Sequence, residues 1–550
     1  MTITKIFPLY IFCFVLFLSC NKPQKSYIFS QKTPIPTRNL DETTRKDWSY
    51  KDIINDSIPG ISLSRAYKEI LKTKKGENII IAVIDQSVDI NHTDLQEYIW
   101  TNENEIPNNN IDDDQNGYID DINGWNYNGS ATVQNKRYSH YDYTRTVKAY
   151  QHLFESDTTI TESNALKHQA YIRAKELLTK NLKSVPKDIQ YANNVYTWKN
   201  MAKTKLSKYL DTISDNSKTL KKLDSLKKQY PNDSTLLQNI NIFSGFVTNG
   251  YTDGHIEGLK LKSNNLLNKQ LNIDFNEREI TNDTPNDINN SHYGNNIVNS
   301  DLNLFSHGTI VSGVILRKTE NLKVMPLTIV GYGSTHDKDI ALAIRYAVDN
   351  GAKVINMSFG KSFSLYKNMV DDAIKYAEKH NVVIITSAGN NNHDMDRNSK
   401  FNYPDDRDSD KKEFVSNFIK VGGTSRNTNS KLKYTMSNYG SENVDLFAPA
   451  KDIYTSVPNN EYKYDSGTSL AAAITSKVAG ILYSYYPKLT SKEVKLILME
   501  SGVSYSFKVN HPSRKKNEQQ VTFSQLSKSG KILNAYNALI MADSISNANH

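Results

Sequence analysis

The feature that most constrains the fold is an uninterrupted apolar run, IIIAVI at residues 79–84, which ends at Asp85. Such a run predicts a parallel strand that is buried on both faces. The same pattern recurs at residues 324–330, 354–357, 382–386, 418–421 and 444–447. Amphipathic helical patterns lie between these runs, for example at residues 339–350, where Gly351 provides a C-terminal stop. This alternation predicts an α/β fold of three layers around a doubly wound, mostly parallel sheet.

Residues 132–290 break this alternation and are rich in Lys, Asn, Gln, Leu and Tyr. Two stripes keep a coiled-coil-like spacing, namely Leu206, Leu210, Ile213, Leu220 and Leu223, and Leu166, Ala170, Ala174, Leu177 and Leu178. They predict a helical hairpin or small bundle inserted between two parts of the α/β domain, residues 47–131 and 291–550. A structural insertion with a buried leucine seam is the simplest interpretation. A substrate lid and an arm that docks a protein partner are the alternatives.

The N-terminus predicts export. Lys5 precedes an apolar run at residues 6–18, which is too short for a spanning helix and is typical of a signal peptide at residues 1–19. The sequence FLSC, ending at Cys20, resembles the lipobox of bacterial lipoproteins, which implies cleavage before Cys20 and acylation of its sulfur. We therefore expect residues 20–46 to be a polar tether to a bacterial membrane. We expect this to be the outer membrane, with the protein on its periplasmic or its surface face. The alternative is an ordinary signal peptide with an incidental cysteine.

Composition narrows the possible partners. Charged residues make up 23% and hydrophobic residues 38% of the chain, as in soluble globular proteins. The net charge of +8 comes from scattered lysines, and no basic face with aromatic stacking residues is evident, so we do not expect nucleic-acid binding. The two cysteines are Cys13 and Cys20, and Cys13 lies in the segment that we expect to be cleaved. The mature chain should therefore have no internal disulfide.

Three segments carry reactive side chains. Asp85 ends a buried strand, and catalytic groups of open α/β sheets gather at such strand ends. His307 lies in SHGTIVSG at residues 306–313, which begins a helix of small residues. Ser469 lies in SGTSLAAA at residues 466–473, at the start of an apolar helix whose free N–H groups can stabilise an oxyanion. A nucleophilic hydroxyl needs a base, and the base needs a third group that holds its tautomer.

These segments resemble the Asp, His and Ser motifs of the subtilisin-like serine protease family, in which the triad has this chain order. The resemblance implies a subtilisin-like fold and an endopeptidase that cleaves proteins or peptides. The resemblance also implies that Ser469 attacks the scissile carbonyl, that His307 transfers the proton and that Asp85 orients the imidazole. Asn390, which ends TSAGN, matches the oxyanion-hole asparagine of the family.

The sequence VINMSFG at residues 354–360 resembles the substrate-binding strand of the same family. Its edge is expected to pair with the peptide backbone, which makes Ser358, Phe359 and Gly360 candidate substrate-binding residues.

Several residues depart from the family pattern, but none of these changes removes a group that transfers protons or carries charge. They are Ser87, Ile310, Ser312, Leu470 and Ala473. The alternative function is a catalytically inactive subtilisin-like fold that serves as a binding protein.

An acidic loop predicts a structural calcium site. The candidate ligands are Asp112, Asp114, Asn116, Tyr118 through its carbonyl, and Asp120. This pattern copies the first part of an EF-hand-like loop, with Gly117 at the sharp turn. Asn123 stands where the closing bidentate Glu would be expected. The alternative is an Asn/Asp-rich turn without an ion.

Overall fold

The computed structural model describes residues 30–36, 39–156, 159–397, 402–510 and 520–548, so the expected signal peptide and Cys20 lie outside the described residues. The strands, in chain order, are β1 Ser30–Gln31, β2 Ile79–Asp85, β3 Trp125–Asn126, β4 Leu322–Thr328, β5 Val354–Met357, β6 Val383–Ser387, β7 Phe418–Thr424, β8 Leu446–Pro449, β9 Ile453–Val457, β10 Glu461–Asp465, β11 Val503–Tyr505, β12 Lys508–Asn510, β13 Gln520–Thr522 and β14 Lys531–Ile532. The α-helices are α1 Glu42–Lys46, α2 Leu63–Ala66, α3 Asp142–Phe154, α4 Ala165–Leu206, α5 Ser217–Gln229, α6 Ser234–Thr248, α7 Asp253–Asn265, α8 His307–Leu316, α9 Asp337–Asp349, α10 Lys367–Lys379, α11 Thr468–Tyr485, α12 Ser491–Glu500 and α13 Ala535–Ala548.

The main sheet of the described residues has the strand order β1-β11-β14-β8-β7-β6-β5-β2-β4-β3. Neighbouring strands in it are parallel except for β11 and β14, which are antiparallel. Helices α8, α9 and α10 connect successive parallel strands, as the alternating sequence pattern predicted. The predicted mostly parallel, doubly wound α/β fold is therefore confirmed.

Both faces of the sheet are covered, which explains why its central strands are mostly apolar. In β2, Ile81 and Val83 pack into a core shared with α8 and α11. The intervening Ala82 and Ile84 pack into a second core shared with α9 and α10. Because side chains alternate along a strand, a run that is apolar at successive positions can bury both of its faces. The result is the predicted three-layer arrangement.

Residues 132–290 contain α3 to α7, as the helical insertion predicted. Its spine is α4, a helix of 42 residues that continues through Pro186. The leucine stripe, however, does not lie on one helix, because α4 ends at Leu206 and α5 begins only at Ser217. Ile213 lies in the loop between them and is nevertheless buried beside Leu206. The continuous coiled-coil spacing was therefore wrong, because the stripe runs through a loop with one buried residue, Ile213, before a second helix begins.

The predicted tether is shorter than residues 20–46. Ser30 and Gln31 form the edge strand β1, which pairs in parallel with β11. Helix α1 begins after Asp41, whose carboxylate accepts the Thr44 N–H at 2.8 Å. The described residues from Ser30 onwards are thus folded onto the α/β domain, because the backbone of β1 pairs with a sheet edge and Asp41 caps α1. In the part of the chain that the structure describes, no helix is both long and apolar enough to cross a bilayer.

Candidate active site

The structure places the three predicted catalytic residues at the carboxyl edge of the sheet, with Asp85 and His307 in direct contact. Asp85 is the last residue of β2, His307 is the first residue of α8, and Ser469 is the second residue of α11. Asp85 and Ser469 are buried, whereas about a third of the His307 side chain (35%) is exposed. The site is therefore held by the ends of regular elements and opens to solvent at the imidazole.

Asp85 and His307 form a hydrogen-bonded pair, with 2.7 Å between Asp85 Oδ1 and His307 Nδ1. The same carboxylate oxygen accepts the Gln86 N–H, and Gln86 Oε1 accepts the His307 N–H at 3.1 Å. Burial disfavours the charged imidazolium, but the charge and hydrogen bond of Asp85 outweigh burial and raise the pKa of His307 above its ordinary value. The pair is thus arranged to stabilise a protonated His307 and to fix its tautomer.

Gly308 explains how α8 can start against the end of β2. A Cβ atom at this position would lie 2.3 Å from the Gln86 carbonyl oxygen and 2.7 Å from that of Ser87. Only glycine permits this approach, which places His307 beside Asp85. The His-Gly dipeptide is therefore a packing requirement of the pair.

Ser469 lies at the start of α11, where backbone N–H groups lack helical partners. Its hydroxyl donates to the Ser358 carbonyl oxygen at 3.1 Å, so in this structure it points to the end of β5 rather than to His307. In turn the Ser358 hydroxyl donates to the Ser469 carbonyl oxygen at 3.1 Å. These two bonds join the predicted nucleophile to the predicted substrate-binding segment.

Asn390 is oriented by a residue that the sequence interpretation missed. Its Oδ1 accepts the Thr468 N–H at 2.9 Å and the Thr468 hydroxyl at 3.1 Å. Because both bonds go to the oxygen, Nδ2 is the free donor, and no hydrogen bond among the described residues engages it. Nδ2 lies 3.4 Å from the Cβ position of Gly467, two residues before Ser469. The signal for this role was present in the sequence as the Thr that precedes Ser469.

The predicted substrate-binding residues follow β5 directly. Ser358 is buried and accepts the Asn356 side-chain N–H at 2.9 Å, while Phe359 packs half-buried against the core below α9 and α10. Gly360 is exposed, and a Cβ atom there would lie 2.0 Å from Asn402 Oδ1. The segment is thus rigidly backed on one side, and its backbone lies next to Ser469.

The acidic loop does not gather all of its predicted ligands. The Asp112 carboxylate accepts the backbone N–H groups of Asn116 and Gly117 at 3.0 and 2.8 Å. That of Asp120 accepts those of Asn109 and Asn110 at 3.2 and 2.9 Å. These two side chains therefore stabilise turns, as short acidic side chains commonly do.

The carboxylates that converge are instead those of Glu105, Asp114 and Asp121, each of which offers an oxygen within 4.8 Å of the others. Asn116 lies beside them and donates to Asp114 and Asp121 at 3.2 and 3.1 Å. The Tyr118 ring packs against Trp125 and Tyr346. Burial and the neighbouring carboxylate charges raise the pKa of both Glu105 and Asp121. Glu105 and Asp121 lacked any local motif, so the sequence did not reveal them.

The sequence model of the subtilase family (peptidase S8) matches residues 76–525 of the chain. The cell wall-associated protease of Bacillus subtilis strain 168 is 33% identical over 212 residues, which cover 36% of this chain and 22% of that protein. Thermitase of Thermoactinomyces vulgaris is 34% identical over 191 residues, which cover 32% of this chain and 61% of thermitase. Subtilisin DY of Bacillus licheniformis is 30% identical over 201 residues, which cover 34% of this chain and 67% of that protein. The matched part thus spans less than two thirds of the first two relatives.

Proposed function

Because the chain belongs to the subtilase family, we propose that it is a serine endopeptidase that hydrolyses peptide bonds in proteins through an acyl-enzyme on Ser469. The observation that carries this proposal is the 2.7 Å pairing of Asp85 with His307 at the sheet edge where Ser469 begins a helix. The named serine proteases among its relatives support it as well.

The proposed chemistry starts with a rotation of the Ser469 side chain from the Ser358 carbonyl towards His307, since hydrogen bonds of this kind often tighten only with substrate. Ser469 Oγ then attacks the scissile carbonyl carbon while its proton passes to His307 Nε2. The Asp85 carboxylate stabilises the imidazolium that results. The raised pKa of His307 has the direction that this step requires.

The oxyanion of the tetrahedral intermediate accepts hydrogen bonds from Asn390 Nδ2 and from the Ser469 backbone N–H. Thr468 holds the amide oxygen of Asn390, so the donor needs no reorganisation when charge develops. His307 then returns its proton to the leaving amine, and water hydrolyses the acyl-enzyme by the reverse sequence of proton transfers. Of the protein groups that take part, only the Ser469 side chain therefore has to rotate before these steps begin.

Labelling by a fluorophosphonate probe tests this proposal. We expect the purified chain to be labelled, Ser469→Ala to abolish labelling, and Ser484→Ala to leave it unchanged. Ser484 is a suitable control because it lies at the far end of the same helix, where its hydroxyl donates to the Glu77 carbonyl. No labelling of folded wild-type protein would contradict the proposal and would favour the inactive binding protein.

We also propose that Glu105, Asp114 and Asp121 hold a structural calcium ion. Their convergence supports this, because Ca²⁺ prefers carboxylate oxygens and would neutralise the charges that raise the pKa of Glu105 and Asp121. Asn102 links Asp114 and Asp121 at 3.0 and 2.9 Å, which ties the start of the loop to its end. The ion would reinforce this cross-link and would take no part in the reaction.

Export and lipidation at Cys20 are further proposals, and they are supported by the apolar run at residues 6–18 and the lipobox resemblance. We expect wild-type protein in the membrane fraction and Cys20→Ser in the soluble exported fraction. Mass spectrometry of the N-terminal peptide should find a diacylglycerol adduct on Cys20. Docking of a protein partner by the helical insertion stays a prediction.

A further inference from the structure

Two loops flank the proposed nucleophile. Strands β4 and β5 are the two neighbours of β2, so the loops that follow them lie on either side of Asp85 at the end of β2. We call residues 331–335, after β4, the first wall and residues 358–363, after β5, the second wall. The first wall is tied to Asp85 through the Ile329 and Val330 N–H groups, which donate to its carbonyl oxygen. The carbonyl oxygen of Ser358 accepts the Ser469 hydroxyl, so the second wall begins beside the proposed nucleophile.

The helical insertion is hydrogen-bonded to the first wall through an isolated parallel bridge between Tyr138 and Tyr332. Tyr332 donates its N–H to the Arg137 carbonyl at 2.8 Å and accepts the Ser139 N–H at 2.7 Å. On either side of Tyr332 are the backbone N–H and carbonyl groups of Gly331 and Gly333. No hydrogen bond among the described residues occupies them. The first wall is therefore bonded to the insertion at Tyr332 and leaves these neighbouring backbone groups available to a peptide.

Glycine is required for this arrangement. A Cβ atom at Gly333, where φ is +109°, would lie 2.1 Å from the Ser139 carbonyl oxygen. The insertion backbone thus approaches the first wall more closely than any side chain would allow.

The insertion also holds the second wall. Asp142 Oδ2, at the start of α3, accepts the backbone N–H groups of Ser362 and Phe363 at 2.6 and 2.9 Å. The Phe363 ring is buried in the core of the insertion, and the Arg173 guanidinium lies 4.1 Å above its centroid. Arg173 also donates to the Ser362 carbonyl oxygen at 2.9 Å. The end of the second wall is thus part of the packed base of the insertion.

One turn of α3 contacts both walls. Arg145, three residues after Asp142, donates to the carbonyl oxygens of Ser334 and Thr335 at 3.0 and 3.2 Å. Its guanidinium is fixed by two hydrogen bonds of 2.9 Å to the buried Glu277 carboxylate. Residues three apart lie on the same face of a helix, so Asp142 and Arg145 fix the spacing of the two walls.

We propose that the first turn of α3 is a clamp that sets the width of the cleft for extended peptides, with Asp142 as a positioning residue. This inference rests on the proposed peptidase function and deepens it. The insertion is then a fixed part of the substrate cleft and is attached at its base to both walls. Efficient cleavage of long peptides that contact the walls therefore depends on the insertion. Substrates that contact Ser469 alone do not.

The test compares two reactions of the full-length chain. The rate constant for labelling by a small fluorophosphonate probe reports the triad alone. The kcat/KM for a fluorogenic tetrapeptide amide, selected from a library with the wild-type chain, reports the walls as well. We expect Asp142→Ala to lower kcat/KM for the tetrapeptide about 10- to 100-fold, because small misplacements of binding groups have effects of this size. The labelling rate should change less than about twofold.

Three further variants complete the test. Asp142→Asn keeps an acceptor oxygen for both N–H groups and should restore most of the tetrapeptide activity. Asp233→Ala is the matched control, because Asp233 also accepts a backbone N–H, that of Leu236 at 2.9 Å, but caps α6 elsewhere in the insertion. It should leave both reactions unchanged. Arg173→Ala should act in the same direction as Asp142→Ala, and it decides the question if Asp142→Ala does not fold.

Equal losses in labelling and in tetrapeptide cleavage would overturn the inference, since the turn would then act on the triad rather than on the walls. Unchanged rates in both reactions would overturn it as well. A folded wild-type chain that is not labelled at all would overturn the proposed peptidase function and this inference with it. The two failures are therefore distinguishable.

Discussion

Replacing Thr468 with valine isolates the orientation of the oxyanion donor. The Thr468 side chain is fully buried, and valine has nearly the same shape. The substitution removes the hydrogen bond from the hydroxyl to Asn390 Oδ1 and the bond that the hydroxyl accepts from the Gly389 N–H, each 3.1 Å long. The bond from the Thr468 backbone N–H to Asn390, at 2.9 Å, remains. Asn390 therefore loses one of its two anchors.

The size of the effect follows from these bonds. Two side-chain hydrogen bonds of about 1 kcal/mol each predict a loss of about 2 kcal/mol in the free energy of unfolding. Complete removal of an oxyanion donor lowers turnover about 10²- to 10³-fold, and here the donor stays but is less constrained. We therefore expect kcat to fall about tenfold. KM should change little, because the oxyanion contact forms only in the transition state.

The assay is steady-state cleavage of a fluorogenic peptide, with thermal unfolding measured in parallel. Thr468→Ser should restore kcat because it returns the hydroxyl. Thr475→Val is the matched control: its hydroxyl is also buried on α11, but it donates to the Ala471 carbonyl at 2.8 Å within the helix. This control should lose stability without losing kcat.

A double-mutant cycle with Asn390→Ala completes the test. If Thr468 acts through Asn390, adding Thr468→Val to Asn390→Ala should lower kcat no further. Additive losses in the cycle, or an unchanged kcat in Thr468→Val, would refute the reasoning.

Three other predictions concern charge. Asp85→Asn should lower kcat about 10⁴-fold. It should also move the acid limb of the plot of kcat/KM against pH to lower pH, because Asp85 raises the pKa of His307 and only the neutral imidazole acts as a base. Calcium at a hundredfold excess over its Kd should stabilise the wild-type chain by about 2.7 kcal/mol and raise its melting temperature. Glu105→Gln should reduce this rise, and an equal rise in both proteins would contradict the calcium site. Asp339→Asn should lower the free energy of unfolding at pH 7 by about 3–5 kcal/mol, because Asp339 pairs with the buried Arg278 at 2.9 Å. This pairing holds the pKa of Asp339 well below its ordinary value. In thermal unfolding measured at a series of pH values, the difference in free energy of unfolding between the variant and wild type should therefore shrink as the pH falls below the ordinary pKa of Asp.

Much of the fold could be predicted because it depends on local pattern. Strand β5 has the predicted bounds at residues 354–357, and β2, β4 and β6 begin or end within two residues of the predicted limits. Burial on both faces of a parallel sheet imposes continuous apolar runs, and that pattern is visible in the chain itself. The prediction of a continuous helical stripe across residues 206–223 was wrong for a related reason. A buried loop residue such as Ile213 can satisfy the same spacing as a residue in a helix.

The residues of the candidate site were also predicted from short stretches of sequence. Asp85, His307 and Ser469 each lie in a short segment whose neighbours serve the same purpose, such as the glycine that lets α8 start beside β2. The sequence alone thus determined the sheet, the three reactive side chains and the presence of a helical insertion. These features depend on which residues are adjacent along the chain.

Only the tertiary structure decided how these parts are coupled. The carboxylate of Asp142 lies 220 residues before the N–H of Ser362 that it accepts, and Glu105 meets Asp121 without any shared motif. A hydrogen bond between distant segments depends on where the fold brings them, and neither residue carries a local pattern that marks its partner. For that reason the attachment of the insertion to the loops after β4 and β5, and the convergence of the three carboxylates, became apparent only once the chain was folded.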